Sequence, residues 1–295
     1  MNIIQTHIVP NNVEPIRFNE YAFGIIDTIP SKSGIKKAIK RGLLIIDGKK
    51  AETGRWIKPG QKIELIENPQ SKPKPYKIDL QIVFEDDHII LINKPAGLVT
   101  SGNQFKTAVN AVCHIAKPSE KGDRLLWPKP VHRLDSATSG LLLFAKTTKA
   151  LLSLNQQFEN KTIKKRYRAI VNGKIDKEGS IDLLIEDKTA LTRFRRIEFV
   201  ESLQNQWLSL VDLFPETGRT HQLRIHLSES GHPIVGDKLY GIEGDILKHK
   251  GLFLCATQLE FIHPETNQPV IFSIKESPKF RALLKREKRR WEKYN

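Results

Sequence analysis

Val131-His132-Arg133-Leu134-Asp135-Ser136-Ala137-Thr138-Ser139-Gly140-Leu141-Leu142-Leu143-Phe144-Ala145-Lys146 sets one acidic residue beside an arginine, in a turn-rich stretch that runs into an apolar strand. An unperturbed Asp titrates at about 3.9, and a neighbouring cation favours the charged form further. Asp135 is therefore expected to be ionised near neutral pH and able to attack an electrophilic carbon. A lone Asp in an arbitrary turn more often caps backbone N–H groups. Here the length of the surrounding pattern favours a presented, reactive carboxylate.

Other blocks extend the pattern in both directions. Upstream stand Val83-Phe84-Glu85-Asp86-Asp87-His88-Ile89-Ile90-Leu91-Ile92-Asn93-Lys94-Pro95-Ala96-Gly97-Leu98, an apolar strand and a turn. Downstream come Lys165-Arg166-Tyr167-Arg168-Ala169, then Gly218-Arg219-Thr220-His221-Gln222-Leu223-Arg224-Ile225-His226-Leu227, and finally Gly231-His232-Pro233-Ile234-Val235-Gly236-Asp237-Lys238-Leu239-Tyr240-Gly241. The run from His132 to Lys146 resembles the HRLD-x-x-TSGLLLFAK signature of the RluA-type RNA pseudouridine synthases. The remaining blocks resemble that family's KPaGL, K-x-Y-x-A and GRTHQLRxHL motifs. The resemblance covers residues 79–276 and implies an α+β fold, the pseudouridine synthase fold: a long mixed, largely antiparallel sheet with a central cleft.

Composition agrees with a nucleic-acid partner. Among 295 residues, Lys plus Arg outnumber Asp plus Glu by 48 to 33, a formal charge of +15, with 7% aromatics. Such an excess suits a soluble protein that holds a polyanion. No apolar run approaches the roughly 18 residues of a membrane span, and the N-terminus lacks the apolar segment of a signal peptide, so no membrane association and a cytoplasmic location are expected. Cys113 and Cys255 stand far apart, outside any C-x-x-C pair, which argues against a zinc site or a disulfide scaffold. No metal is expected. Oligomeric state is not legible.

Four segments are expected: an RNA-binding module over residues 13–67, a linker over 68–78, the catalytic domain over 79–276 and a basic tail over 277–295. A strand is expected over residues 3–9. Ser31 caps a helix over 32–41, with Ile35, Ala38 and Ile39 as its apolar face and Gly42 ending it. A strand over 43–46, an Asp47-Gly48 hairpin turn, a turn at Gly60 and a strand over 62–66 follow. This order resembles the S4 RNA-binding module, with Lys32 where an Arg usually follows the capping Ser. Lys36, Lys37, Lys40 and Arg41 form two i,i+4 pairs of like charge, a repulsion that a phosphate backbone would relieve. The alternative is a solvated face. Asn68 to Pro75 is Pro-rich, polar and without periodicity, as extended linkers are.

In the large domain, strands are expected over residues 81–84, 88–92, 141–146, 166–171 and 207–213, with a helix over 148–159. Irregular alternation without a G-x-G-x-x-G loop argues for α+β rather than a doubly wound sheet. Thr220 can cap a helix ending at Gly231, although Leu223, Ile225 and Leu227 alternate as a strand would. Residues 277–295 hold eight basic residues against two acids in a helix-compatible pattern, readable as an RNA contact or as a frayed solvated helix.

The resemblance also implies the chemistry. Uridine becomes pseudouridine when the N1–C1′ bond breaks, the uracil turns over and C5 joins C1′, an isomerisation that calls for no cofactor. A carboxylate adds at C1′, as in a retaining glycosidase, or removes the 2′ proton to give a glycal; both routes use Asp135. By resemblance, Arg224 is the cation paired with that carboxylate. Tyr167 stacks on the target base and assists loss of the C5 proton. Arg133 fills the gap left by the flipped nucleotide, and a planar guanidinium is suited to that while also bonding phosphate. His132, Arg219 and His221 are further substrate-binding candidates. An S4-like module ahead of this domain leans toward large-subunit rRNA rather than tRNA as the RNA partner. Two readings compete: a non-catalytic RNA-binding or ribosome-assembly protein on the same fold, and a nucleic-acid N-glycosidase, which would want a second carboxylate that no motif identifies.

Overall fold

The computed structural model describes residues 3–26, 29, 31–66, 73–242 and 250–295. Among these residues the strands form two sheets, one of four strands and one of ten. No described helix is long and apolar enough to cross a membrane.

The small sheet has the order β1 (Ile3–Ile8), β4 (Lys62–Ile66), β2 (Leu44–Ile46), β3 (Lys49–Lys50). Helices α1 (Phe18–Ile25) and α2 (Lys32–Lys40) cover it, with Phe18, Ala22, Ile35, Ala38, Ile39 and Ile63 in a common core. Ser31 Oγ accepts the Gly34 N–H at 3.0 Å, so the capping expectation holds. Asp47 and Gly48 both adopt positive φ, 49° and 77°, as a two-residue hairpin turn of the primed type requires. β1 pairs along β4, which extends this unit to residue 3, ahead of the expected start at residue 13. A segment before the first helix still carries backbone N–H and C=O groups, and an open sheet edge satisfies them.

Residues 67–72, where most of the expected linker falls, lie outside the described residues. The stretch 73–80 has neither helix nor strand, but its end is not a free linker: Tyr76, Ile78 and Leu80 pack on the core of the large domain. The linker therefore gives way to docked chain before residue 79.

The large sheet runs β10 (Glu178–Asp182), β11 (Leu191–Ser202), β12 (Gln206–Pro215), β9 (Lys164–Asn172), β13 (Leu254–Ile262), β8 (Ser139–Thr147), β6 (Ile89–Lys94), β5 (Gln81–Glu85). β14 (Pro269–Ser273) pairs with β13, and β7 (Arg124–Pro130) with β8. Every pairing of these strands but one is antiparallel. The exception joins β13 to β8 over two residue pairs, Cys255 with Ser139 and Ala256 with Gly140. Gly140 has φ +115°, and a Cβ there would come within 2.2 Å of Ala256 O, so only glycine permits this approach. The sheet thus has two antiparallel halves that meet at a short parallel seam.

Helix α3 (Ala108–Ile115) packs its apolar face on one side of the β8 half, and α4 (Thr148–Glu159), capped by Thr147, packs on the other. Of the two readings open at Leu223 to Leu227, the helix is the one formed: α5 (Gln222–Glu229) ends just before Gly231, with Leu223 and Leu227 buried one turn apart. Thr220 does not cap it. The N-cap is His221, held in the left-handed region at φ 55° without a side-chain cap bond. The basic tail is helical, as its pattern allows, but it is not a frayed solvated helix, because α6 (Lys279–Tyr294) is docked on β11. Phe280, Leu283 and Leu284 are buried in the core, and Glu287 accepts from Ser202 Oγ at 2.9 Å. Its apolar residues recur at helical spacing beneath the basic ones, and burial of that stripe fixes the helix.

Candidate active site

Asp135 sits in the turn that leads into β8, and the chain around it is clamped from the segment after β6. Thr100 Oγ1 donates to Leu134 O at 2.9 Å and accepts from Leu134 N at 3.1 Å. Gly97 N donates to Ser136 O at 2.7 Å. Lys94, fully buried, sends its ammonium to Leu98 O at 2.7 Å, Pro95 O at 3.0 Å and Ser136 O at 3.3 Å. Burial pulls the Lys94 pKa down to about 8, while the charge of Asp135 opposes that shift. A backbone fixed on both sides of Asp135 presents the carboxylate in a constant direction.

The carboxylate faces a cavity of about 300 Å³ whose apolar walls include Val131, Leu134, Phe158, Pro215 and Leu254. Tyr167 and Arg224 enter the same cavity from across the seam, on β9 and α5. Arg224 Nη1 lies 3.8 Å from Asp135 Oδ2, and His221 Nε2 lies 3.8 Å from the same oxygen. The tighter partner of Arg224 is Asp237: Nε donates to its Oδ2 at 2.7 Å and Nη2 to its Oδ1 at 2.6 Å. Burial alone would raise the Asp237 pKa. Hydrogen bonds and charge from Arg224, with the N–H groups of Leu239 and Tyr240, hold it below the usual carboxylate value. Arg224 is thus fixed by a buried two-pronged pair and offers its remaining nitrogen to Asp135. His221 Nδ1 lies 2.9 Å from the Tyr240 hydroxyl, which fixes the ring while its other nitrogen faces Asp135.

Tyr167 packs against core clusters on both sides of the seam. Burial, then the charges of Asp135 and Cys255, raises its hydroxyl pKa above the ordinary tyrosine value, so the phenol keeps its proton at neutral pH. Arg133 is exposed at the cavity, and its guanidinium makes no hydrogen bond or ion pair with a described residue. Arg219 Nε donates to Thr189 O at 3.2 Å. His132 lines the cavity, but its Nε2 accepts the Leu143 N–H at 3.1 Å; burial, then the charge of Lys165, pushes its pKa down to about 4. It is a neutral ring in the wall, bracing β8, rather than a charged substrate contact. Lys36, Lys37, Lys40 and Arg41 are exposed on α2 and its C-cap, do not line the cavity and pair with no described acid. No group of three His, Cys, Asp or Glu among the described residues is placed to hold a metal ion.

Sequence reasoning missed Asp237, whose only signal was its place in the Gly236 to Gly241 block, and Lys165, which lines the cavity two residues before Tyr167. Lys94, quoted above only as part of the strand-and-turn block, serves that turn through its three carbonyl contacts.

A sequence profile describing RNA pseudouridylate synthases matches residues 88–229. The chain is 34% identical over 301 residues to ribosomal large subunit pseudouridine synthase D of Nitrosomonas europaea, covering 92% of this chain and 83% of that protein. It is 31% identical over 282 residues to an uncharacterised RNA pseudouridine synthase of Aquifex aeolicus, covering 86% and 88%. Among solved structures, human RNA pseudouridylate synthase domain containing 1 superposes with a TM-score of 0.57 at 25% identity, over 69% of this chain and 86% of that one.

Proposed function

Because the chain belongs to the RNA pseudouridine synthase family and is an isomerase acting on RNA, we propose that Asp135 carries the reaction and that the substrate is large-subunit ribosomal RNA. One observation carries the assignment: a clamped carboxylate shares a single cavity with Tyr167 and with a cation 3.8 Å away that a second carboxylate holds in place.

In this reading a uridine leaves its stack and enters the cavity, where Tyr167 offers an aromatic face to the uracil. Arg133, free and at the edge, fills the vacated position and contacts phosphate. Asp135 then adds at C1′ or removes the 2′ proton, while Arg224 and His221 orient it. The apolar walls keep out water, which would hydrolyse a ribosyl intermediate. After C5 joins C1′, the C5 proton leaves with help from Tyr167. The N-terminal unit, read as an S4-like module, adds affinity through Lys36, Lys37, Lys40 and Arg41. Ribosomal RNA is favoured over tRNA because the Nitrosomonas relative is named for the large ribosomal subunit and aligns over nearly the whole chain.

Pseudouridine mapping of total RNA from cells with and without this protein tests the reading. The expected result is loss of one or a few pseudouridines from large-subunit rRNA. Loss confined to tRNA would overturn the substrate assignment, and no loss in any RNA would overturn the activity of Asp135 as stated.

A further inference from the structure

Two lysines lie beside Asp135 and Tyr167, and only one of them is satisfied. Lys94 donates to three carbonyl oxygens. Lys165, two residues before Tyr167 on β9 and so on the same face of the strand, also lines the cavity. Its ammonium has a single acceptor, Thr217 O at 3.3 Å, and no carboxylate among the described residues. Three other lysines of the large domain each hold a carboxylate: Lys146 pairs with Glu85, Lys149 with Glu265 and Lys164 with Glu260.

An ammonium has three protons to donate, and a partly buried cation without a counter-ion is costly. Burial, then the charge of Lys161, draws the Lys165 pKa down to about 8. The group is short of negative charge at a place that substrate must occupy. RNA brings negative charge with every nucleotide, since each ribose is flanked by phosphodiesters that travel with a flipped base.

We propose that Lys165 is the seat for a phosphate of the target nucleotide, gripping the backbone while the sugar and base face Asp135 and Tyr167. This rests on the reading of the cavity as the place of a flipped nucleotide. Lys165 is a binding residue here, and Thr217 O serves to aim its ammonium before RNA arrives.

The test compares wild type with Lys165→Met and Lys165→Arg on an unmodified large-subunit rRNA transcript. It measures pseudouridine formation, thermal unfolding, and RNA affinity between roughly 50 and 200 mM salt, the range over which phosphate contacts register. Lys165→Met should be at least as stable as wild type, because it removes an uncompensated charge and keeps the stem. Its KM should rise about tenfold with kcat within about threefold, and the slope of log affinity against log salt should fall by roughly 0.7 to 0.9. Lys165→Arg should restore most of the KM. A destabilised Met variant would make Lys165 a structural residue, and a kcat loss with unchanged KM and salt slope would place it in the chemistry; either overturns the proposal. If wild type made no pseudouridine while affinity and salt slope still depended on Lys165, the catalytic reading would fall and the phosphate seat would stand.

Discussion

Asp237 grips Arg224 through two hydrogen bonds of 2.6 and 2.7 Å, while Asp135 stands 3.8 Å from the same guanidinium. The cation of the site is therefore supported from behind, by a carboxylate with almost no solvent exposure, and it reaches Asp135 already oriented. Removing one partner of a buried pair leaves an unpaired charge, which costs about 3 to 5 kcal/mol. Asp237→Ala should lose stability on that scale and should lower turnover as Arg224 swings free, measured by denaturant unfolding and by pseudouridine formation. An Asp237→Ala protein as stable and active as wild type would show that Arg224 needs no such support. The folded-state pKa of Asp237 is depressed, so its contribution is present above the unfolded value of about 3.9 and is lost as pH falls through the lower folded value. Acid unfolding below about pH 4 should accordingly be steeper in wild type than in Asp237→Asn.

Asp135→Asn keeps the shape of the side chain but removes its nucleophilic and basic character. Folding and RNA affinity should stay close to wild type while pseudouridine formation is abolished. Turnover within tenfold of wild type would reject Asp135 as the reacting group.

Tyr167→Phe preserves the aromatic face and deletes a hydroxyl that burial and the neighbouring Asp135 charge keep protonated. If that hydroxyl takes part in proton transfer, the rate should drop by about a hundredfold with binding unchanged. Tyr167→Leu should weaken engagement of the base as well. Near-normal rates for both would leave Tyr167 as a packing residue at the seam.

Lys94→Met removes three hydrogen bonds that hold the Asp135 turn and should reduce both stability and turnover. The sign of its pH dependence follows from a folded pKa of about 8, below the unfolded value of about 10.4. The folded state binds the proton less tightly, so wild type gains stability as pH rises from about 8 to 10, by up to roughly 3 kcal/mol. Subtracting the Lys94→Met unfolding curves, which lack this group, should expose the gain; a difference independent of pH would mean the ammonium is not the titrating species.

A protein beginning at residue 73 should fold and isomerise uridine but bind RNA more weakly, because the N-terminal unit closes its own core around Phe18, Ile35 and Ile63. The salt slope should flatten by roughly 0.7 to 0.9 for each phosphate that is no longer engaged. Unchanged affinity and slope would return Lys36, Lys37, Lys40 and Arg41 to the role of a solvated face.

Local signals carried most of what was legible beforehand. Ser31, Gly42 and the Asp47-Gly48 turn announce their elements through caps and positive-φ preferences, and the apolar run after Gly140 announces β8. Asp135, Tyr167 and Arg224 stood out because long motifs surround them. What stayed hidden depends on distant partners. Arg224 could be assigned to Asp135 from resemblance, but only the fold shows Asp237 taking two of its nitrogens. The basic residues of α6 dominate its composition and masked Phe280, Leu283 and Leu284, whose burial needs β11 to be in place. Leu223, Ile225 and Leu227 satisfied strand alternation by chance; Leu223 and Leu227 also satisfy i,i+4 spacing, and packing chose the helix.

The seam where Ala256 lies against Gly140 separates the contributors to the cavity: Asp135 enters from one half of the sheet, Tyr167 and Arg224 from the other. Neither half brings the three residues together alone. During synthesis Asp135 emerges well before β13, the strand that bridges the halves, so a nascent chain carries the carboxylate before Arg224 can be set beside it. Catalytic competence arrives as a late event of assembly, and any change that loosens two residue pairs at one narrow junction should disable the enzyme while leaving most of its secondary structure intact.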